Sequence, residues 1–279
     1  MRLMIKRLAP PIVLALMSLL LSSCCCDDKD SEHFNVCVEI IASDDNPLPD
    51  NLIDSKWLYT FVNRRFFNSP VPDVSGEYNI SFPSGDIFTF IGGISDETAF
   101  RFNNPVKGED IQNWYAEVID YDNIPPFYYG SVTTSKGTDH IMVQLYDIRC
   151  RSHVLIRNMH SRYGAGDYQV FIGGLRRTIT FEGVICGDMV ERRLDGVFQE
   201  NSDHWLSKEL ISLPTAPGEG VNVRIQRGDG ETIVYRDVDD DGNQMALHSG
   251  DDVVFVITFG EHVSIRVAPW TEVYSDLSI

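Results

Sequence analysis

From residue 34 onward the chain is written in short β-rich runs, each closed by turn residues, and this punctuation limits the possible folds more than any other feature. In the first half the runs are Phe34–Ile41, Trp57–Val62, Tyr78–Phe82, Asp86–Ile91, Thr98–Phe102, Trp114–Ile119, Tyr128–Thr133 and His140–Tyr146. The second half has His153–Met159, Tyr168–Ile172, Thr178–Val184, Val221–Gln226, Thr232–Asp237, Val253–Phe259 and Val263–Ala268. Ile141, Val143 and Leu145 share one face while Gln144 points away, and Val223 and Ile225 alternate with Asn222, Arg224 and Gln226. That is the period of a strand with one face in a core. Pro83-Ser84-Gly85, Asn103-Asn104-Pro105, Gly228-Asp229-Gly230, Asp241-Gly242 and Ser249-Gly250 supply turn chemistry between the runs. Long helical periodicity is absent, and the best short helix candidate is Asp203–Leu210. Many short strands with regular turns predict an all-β protein of packed sandwiches rather than a parallel α/β sheet.

A chain of 279 residues with 43% hydrophobic and 11% aromatic content can fill real cores, which excludes wholesale disorder. The length suits one large or two ordinary domains, and the expected division is 34–149 and 150–279. An internal echo accompanies it: Phe90-Ile91-Gly92-Gly93-Ile94 recurs as Phe171-Ile172-Gly173-Gly174-Leu175, with Phe100 and Phe181 at the same later offset. Duplication and coincidence are both open on so short a match.

Residues 1–23 have the order of a secretory signal: Arg2, Lys6 and Arg7, then an apolar stretch from Ile12 to Leu21, then small residues. The stretch is too short for an ordinary spanning helix. Leu21-Ser22-Ser23-Cys24 resembles the lipobox of bacterial lipoproteins, so Cys24 is expected to be acylated and to become the first mature residue. Residues 24–33 then form a polar, acidic tether, Asp27-Asp28-Lys29-Asp30-Ser31-Glu32. The formal net charge of −18 argues against nucleic acid as a partner, because phosphate binding needs Lys and Arg. Six cysteines are too few for a stapled scaffold, and Cys24-Cys25-Cys26 lacks the companions of a zinc site. One bridge among Cys37, Cys150 and Cys186 is compatible with an oxidising compartment, with the pair undetermined.

Lipobox, acidic tether and two β units, with His140–Tyr146 leading straight into His153–Met159, form a familiar pattern. The run Asp167–Leu175 and the closing Val263-Ser264-Ile265-Arg266-Val267-Ala268-Pro269-Trp270 belong to it. The chain resembles the fimbrillin-like lipoproteins of Bacteroides-type bacteria, most nearly the FimB-type fimbrial anchor subunits, over residues 24–279. Cys25, Cys26 and Cys186 fall outside the pattern. The resemblance implies two tandem transthyretin-like Greek-key β-sandwich domains on an outer-membrane lipid anchor exposed at the cell surface. It implies fimbrial subunits as partners, joined by β-strand addition; the short acidic stretch resembles the signal that sorts such lipoproteins outward, with a plain spacer as the other reading. In polymerising fimbrillins a trypsin-like protease cuts after an Arg and removes the first strand. The matching position here is Arg65 of Arg64-Arg65, and an anchor would keep its first strand uncut. The other two readings are a polymerising subunit cut after Arg65 and a glycan-binding surface lipoprotein of a nutrient-uptake system.

Asp237-Val238-Asp239-Asp240-Asp241-Gly242 matches the opening of a calcium loop, with Asp237, Asp239 and Asp241 as the alternate carboxylates. The twelfth position is His248 rather than Glu, and the flanks read as strands, so an acidic hairpin turn closed by Asp241-Gly242 is the expectation. The seven histidines form no HExxH or close pair, and no nucleophile elbow, phosphate loop or dinucleotide fingerprint is present. No catalytic residue, metal or cofactor is therefore expected. Trp57, Trp114, Trp205 and Trp270 are read as core residues or, in the glycan reading, as a stacking surface.

Overall fold

The computed structural model describes residues 34–42, 56–82, 84–95, 98–122, 124–200 and 202–276. The signal peptide, Cys24 and the tether lie outside these residues. The all-β expectation is met: nineteen strands form three sheets, with two short helices, α1 (Met159–Tyr163) and α2 (Trp270–Asp276), among the described residues.

The first sheet contains β1 (Phe34–Ala42), β2 (Lys56–Val62), β3 (Arg65–Asn68), β4 (Tyr78–Phe82), β5 (Ile87–Ser95), β8 (Phe127–Ser135) and β9 (His140–Asp147). Its order is β3-β2-β5-β8-β9-β1-β4. Ladder pairing between β8 and β9 is confined to Tyr128 opposite Asp147 and Tyr129 opposite Tyr146, and there the sheet folds over on itself. A Cβ on Gly130 would stand 2.0 Å from the Gln144 carbonyl oxygen, so glycine permits this close corner. The two halves enclose Val36, Val38, Ile40, Leu58, Phe88, Phe90, Val143 and Leu145, all buried. Alternation read from the sequence is thus the alternation of the core.

The second sandwich pairs two sheets. One runs β13 (Gly196–Phe198), β14 (His204–Ser207), β10 (Cys150–Arg157), β18 (Asp252–Phe259), β19 (Val263–Pro269), with β15 (Leu210–Ser212) also on β10. The other runs β17 (Thr232–Arg236), β16 (Asn222–Arg227), β11 (Tyr168–Thr180), β7 (Tyr115–Val118), β6 (Phe100–Phe102), with β12 (Ile185–Leu194) along β11. Val154, Ile156, Phe255 and Ile257 from the first face Val170, Ile172, Val223 and Ile225 from the second. β6 and β7 precede residue 150 yet join this sheet, Thr178 pairing with Glu117 and Thr180 with Tyr115. An apolar, mostly aromatic seam of Phe61, Ile91, Trp114 and Phe181 binds the outer face of β2 and β5 to the second sandwich. Tyr129 donates its hydroxyl to the Phe181 carbonyl across that seam, and its burial pushes the phenol up to about 12.

Two local expectations are corrected, and the open question of a disulfide is answered. Asp203–Leu210 is not helical; it forms β14 and β15, because pairing with β10 satisfies its backbone and buries Trp205 and Leu210. Thr178–Val184 is not one strand: β11 runs through Gly173-Gly174 to Thr180, and a turn with Gly183 at φ 79° leads into β12. No bridge joins Cys37, Cys150 and Cys186, which are all free. Cys150 is buried at the head of β10 with its Sγ 2.9 Å from the His248 carbonyl.

Candidate functional site

For a protein read as joining others through strands, the site consists of strands and edges. β1 is a central strand. It pairs in parallel with β9, Cys37 to Ala42 against His140 to Leu145, and antiparallel with β4, Phe34 to Val38 against Phe82 to Tyr78. Val36, Val38 and Ile40 fill the first core from its inner face. Each such side chain contributes about 1.5–3 kcal/mol by burial, so β1 is built into the sandwich rather than laid on it.

The basic pair lies at the tip of the β2–β3 hairpin. Asn63 and Arg64 take φ of 49° and 68°, the left-handed pair that a two-residue hairpin turn demands. On one side Arg65 pairs with Val62 and Phe66 with Phe61. On the other, residues 108–111 run alongside: Gly108 N–H donates to Phe66 O (2.9 Å), Phe66 N–H to Glu109 O (2.8 Å) and Ile111 N–H to Arg64 O (2.8 Å). The Arg65 guanidinium donates to Gly108 O at 3.0 Å. Arg64 pairs with Glu182 at 2.7 Å and Asp110 at 3.4 Å. Phe66 packs on Tyr59, Phe61 and Trp114. The Arg65–Phe66 bond is therefore held in a strand laddered on both sides, while proteases favour exposed, unladdered segments.

The acidic motif forms a tight turn. The Asp239 carboxylate accepts the N–H groups of Asp241 (3.0 Å) and Asn243 (2.8 Å) and the Asn243 side-chain amide (3.2 Å). These bonds, the Asn243 N–H foremost, hold it below the usual carboxylate range. Gly242 takes the left-handed position at φ 82°. Among the described residues no group of three or more His, Cys, Asp or Glu side chains is placed to hold a metal ion. A neighbour the motif reading passed over makes the distant contact. Asp240 donates its N–H to Ile265 O (3.0 Å) and accepts the Ile265 N–H on its carboxylate (2.9 Å). Arg236 donates to Val263 O at 3.4 Å. Both contacts fall on the outer edge of β19.

The tryptophans divide. Trp114 and Trp205 are buried. Trp270 opens α2 and stacks on His153 with centroids 4.0 Å apart, and Val273 of the same helix packs on Leu155, Val254, Val256 and Ala268. Trp57 is half-buried, donates its indole N–H to Ser95 at 3.2 Å, and lines a cleft of about 280 Å³ with Tyr59, Phe100, Phe102 and Asn104. Asp139-His140 and Asp203-His204 are adjacent in the sequence but are not brought together as acid–base couples. Asp203 accepts the backbone N–H groups of His160 and Ser161 at the start of α1, and His140 lies 4.0 Å from Glu39. No helix among the described residues is long and apolar enough to cross a membrane.

No protein-family model matches the chain, and no curated protein sequence matches it. Solved structures do. The fimbrial anchor protein Mfa2 from Porphyromonas gingivalis is similar with a TM-score of 0.61 at 12% identity, covering 85% of this chain and 98% of that one. Proteins from Bacteroides thetaiotaomicron described as candidate polysaccharide-binding proteins (DUF1812) give a TM-score of 0.61 at 8% identity, with coverages of 85% and 98%. A candidate adhesin from Bacteroides ovatus gives 0.59 at 13%, with coverages of 85% and 94%. At such identities the likeness is one of fold: this chain has the fold found in fimbrial anchor and adhesin-like proteins of these bacteria. The fimbrillin-like resemblance drawn from the sequence is met at that level.

Proposed function

We propose that the protein is a non-enzymatic, cell-surface fimbrial anchor or assembly subunit, held in the outer membrane by a lipid on Cys24 and joined to fimbrial subunits by β-strand addition. The observation that carries the anchor role is the locking of the first strand. β1 is gripped by neighbours on both edges, and the Arg65–Phe66 bond that would have to be cut to release it is laddered between β2 and residues 108–111. A subunit that must keep its membrane tether needs both properties. The fold shared with the Mfa2 anchor supports the same reading. The lipid tether is tested by Cys24→Ala, which is expected to abolish palmitate labelling and release the protein from the membrane fraction; unchanged labelling sinks it. Anchor and polymerising subunit are separated by mass spectrometry of the mature, cell-bound protein. A chain starting at residue 24 is the expected result, and one starting at Phe66 sinks the anchor role.

The second reading, glycan binding, is favoured by the half-exposed aromatic cleft around Trp57 and by the polysaccharide-binding description of one neighbour. Aromatic faces with a polar rim suit pyranose rings. Glycan-array binding lost in Trp57→Ala is the result that would support it.

A further inference from the structure

The acidic turn holds no metal-binding group of three carboxylates, yet it makes a specific contact with the closing strand. Among the described residues β19 is the last strand of its sheet and pairs only with β18. Because the N–H and C=O of Ile265 both go to Asp240, they point away from β18, and alternation turns the same groups of Val263 and Val267 outward too. Three devices blunt this edge. Arg236 occupies the Val263 carbonyl. Asp240 occupies both groups of Ile265, its backbone N–H and its carboxylate standing where a neighbouring strand would put an N–H and a C=O. Pro269 closes the strand with no N–H to offer. Asp239 stiffens the turn that presents Asp240.

We propose that Asp240 is a strand mimic guarding a strand-acceptor site. The outer edge of β19 from Val263 to Val267 receives an extended segment of a fimbrial partner once the Asp237–Gly242 turn swings away. The mimic itself indicates what fits, since it supplies one donor and one acceptor with the spacing of a single residue of a β-ladder. The acceptor length, Val263 to Val267, suits a segment of about five residues. The choice of a fimbrial partner rests on the function proposed above, whereas the guard stands on geometry alone.

Two measurements on the full chain separate these parts. Hydrogen exchange of the Ile265 amide reads the guard. Asp240→Ala is expected to speed exchange at least tenfold, while Asp240→Asn, which keeps an acceptor oxygen, retains most of the protection; equal exchange in wild type and Asp240→Ala overturns the guard. The acceptor is read in cells. Val267→Pro removes the outward N–H at an edge position, where proline is tolerated in a sheet, and leaves the β18–β19 bonds in place; Val267→Thr, which keeps that N–H, is the control for loss of the valine side chain from the core it packs on. With unchanged melting temperature and membrane location, Val267→Pro is expected to shed fimbriae while Val267→Thr holds them. Normal fimbriae in Val267→Pro, in a strain where deleting the whole chain causes shedding, overturn the acceptor edge alone. Normal fimbriae after the whole-chain deletion overturn the fimbrial reading and the partner named here with it.

Discussion

The two ends of the described chain are held in opposite ways. β1 is a middle strand, bonded along both edges and buried through Val36, Val38 and Ile40. β19 is an end strand, bonded along one edge, its other edge met by side chains and a single turn residue. A strand with two neighbours leaves only when its sandwich opens, whereas an edge covered by a turn is uncovered by a local movement. The contrast fits a molecule whose first strand must never let go and whose last strand can change company.

The largest expected effect comes from breaking the fixed end. Val38→Asp places a carboxylate in the first core and is expected to cost about 4 kcal/mol or more, against less than about 1 kcal/mol for Arg266→Ala, which lies on β19 and loses an exposed ion pair with Glu272 of α2. Urea denaturation of both variants checks this, and equal losses would remove the asymmetry. Next is Gly130→Ala at the corner between β8 and β9. Its Cβ would strike the Gln144 carbonyl oxygen, and a loss of about 2–4 kcal/mol is expected, with faster amide exchange in β9 and β1 but not in β19.

A smaller effect concerns the shield over the basic pair. Asp110 caps the turn at residues 111–113 by accepting the Gln112 N–H at 3.1 Å, and it also pairs with Arg64. Asp110→Ala removes a cap worth about 1 kcal/mol, which raises the open population about fivefold. Limited trypsin digestion is expected to cut after Arg65 correspondingly faster, and an unchanged rate would show that residues 108–111 shield nothing.

The smallest effect is one of pH and is common to both ends. Asp73 near β4 is held below the usual range, first by the Ser75 hydroxyl and then by the Ser75 N–H, and Asp239 beside β19 by the Asn243 N–H. A carboxyl with a depressed folded-state pKa stabilises above its unfolded value of about 3.9, and that contribution is lost as pH falls through the folded value. Both turns are expected to loosen below pH of about 4, read as lower protection of the Glu77 and Asn243 amides relative to their intrinsic exchange rates at each pH. Loosening on raising the pH through the acidic range would contradict the assignment.

Much of the framework is legible in the sequence because one-sided burial writes itself as alternation: Ile141, Val143 and Leu145 share one face in the sequence and are buried together in the fold. Elements without that signature were missed. β3 follows a turn of Asn63 and Arg64, which take left-handed dihedrals without the glycine that marks such turns. β12 exposes residues on both faces, Asp188, Met189 and Glu191 among them, so no period shows. The repeated Phe-Ile-Gly-Gly motif hid a divergence. At Gly93 the strand stays regular, pairing with Tyr129, and the indole of Trp57 lies against it. At Gly174 the backbone turns to φ 81° and the pairing of β11 slips. Of the acidic motif, the turn could be read from Asp241-Gly242. Its docking on Ile265 could not, because a contact between distant residues leaves no local pattern.

The parallel pairing of β1 with β9 has a mechanical consequence. Pulling on Phe34 while the rest of the chain is held through the end of β9 directs tension along the strand axis. The rungs from Cys37–His140 to Ala42–Leu145 are then loaded together, in shear, instead of being opened one after another from an end. An antiparallel hairpin pulled by its two free ends would unzip at low force. Here rupture requires the whole set to fail at once, so the parallel neighbour β9 that helps bury β1 also makes it a clasp against pulling.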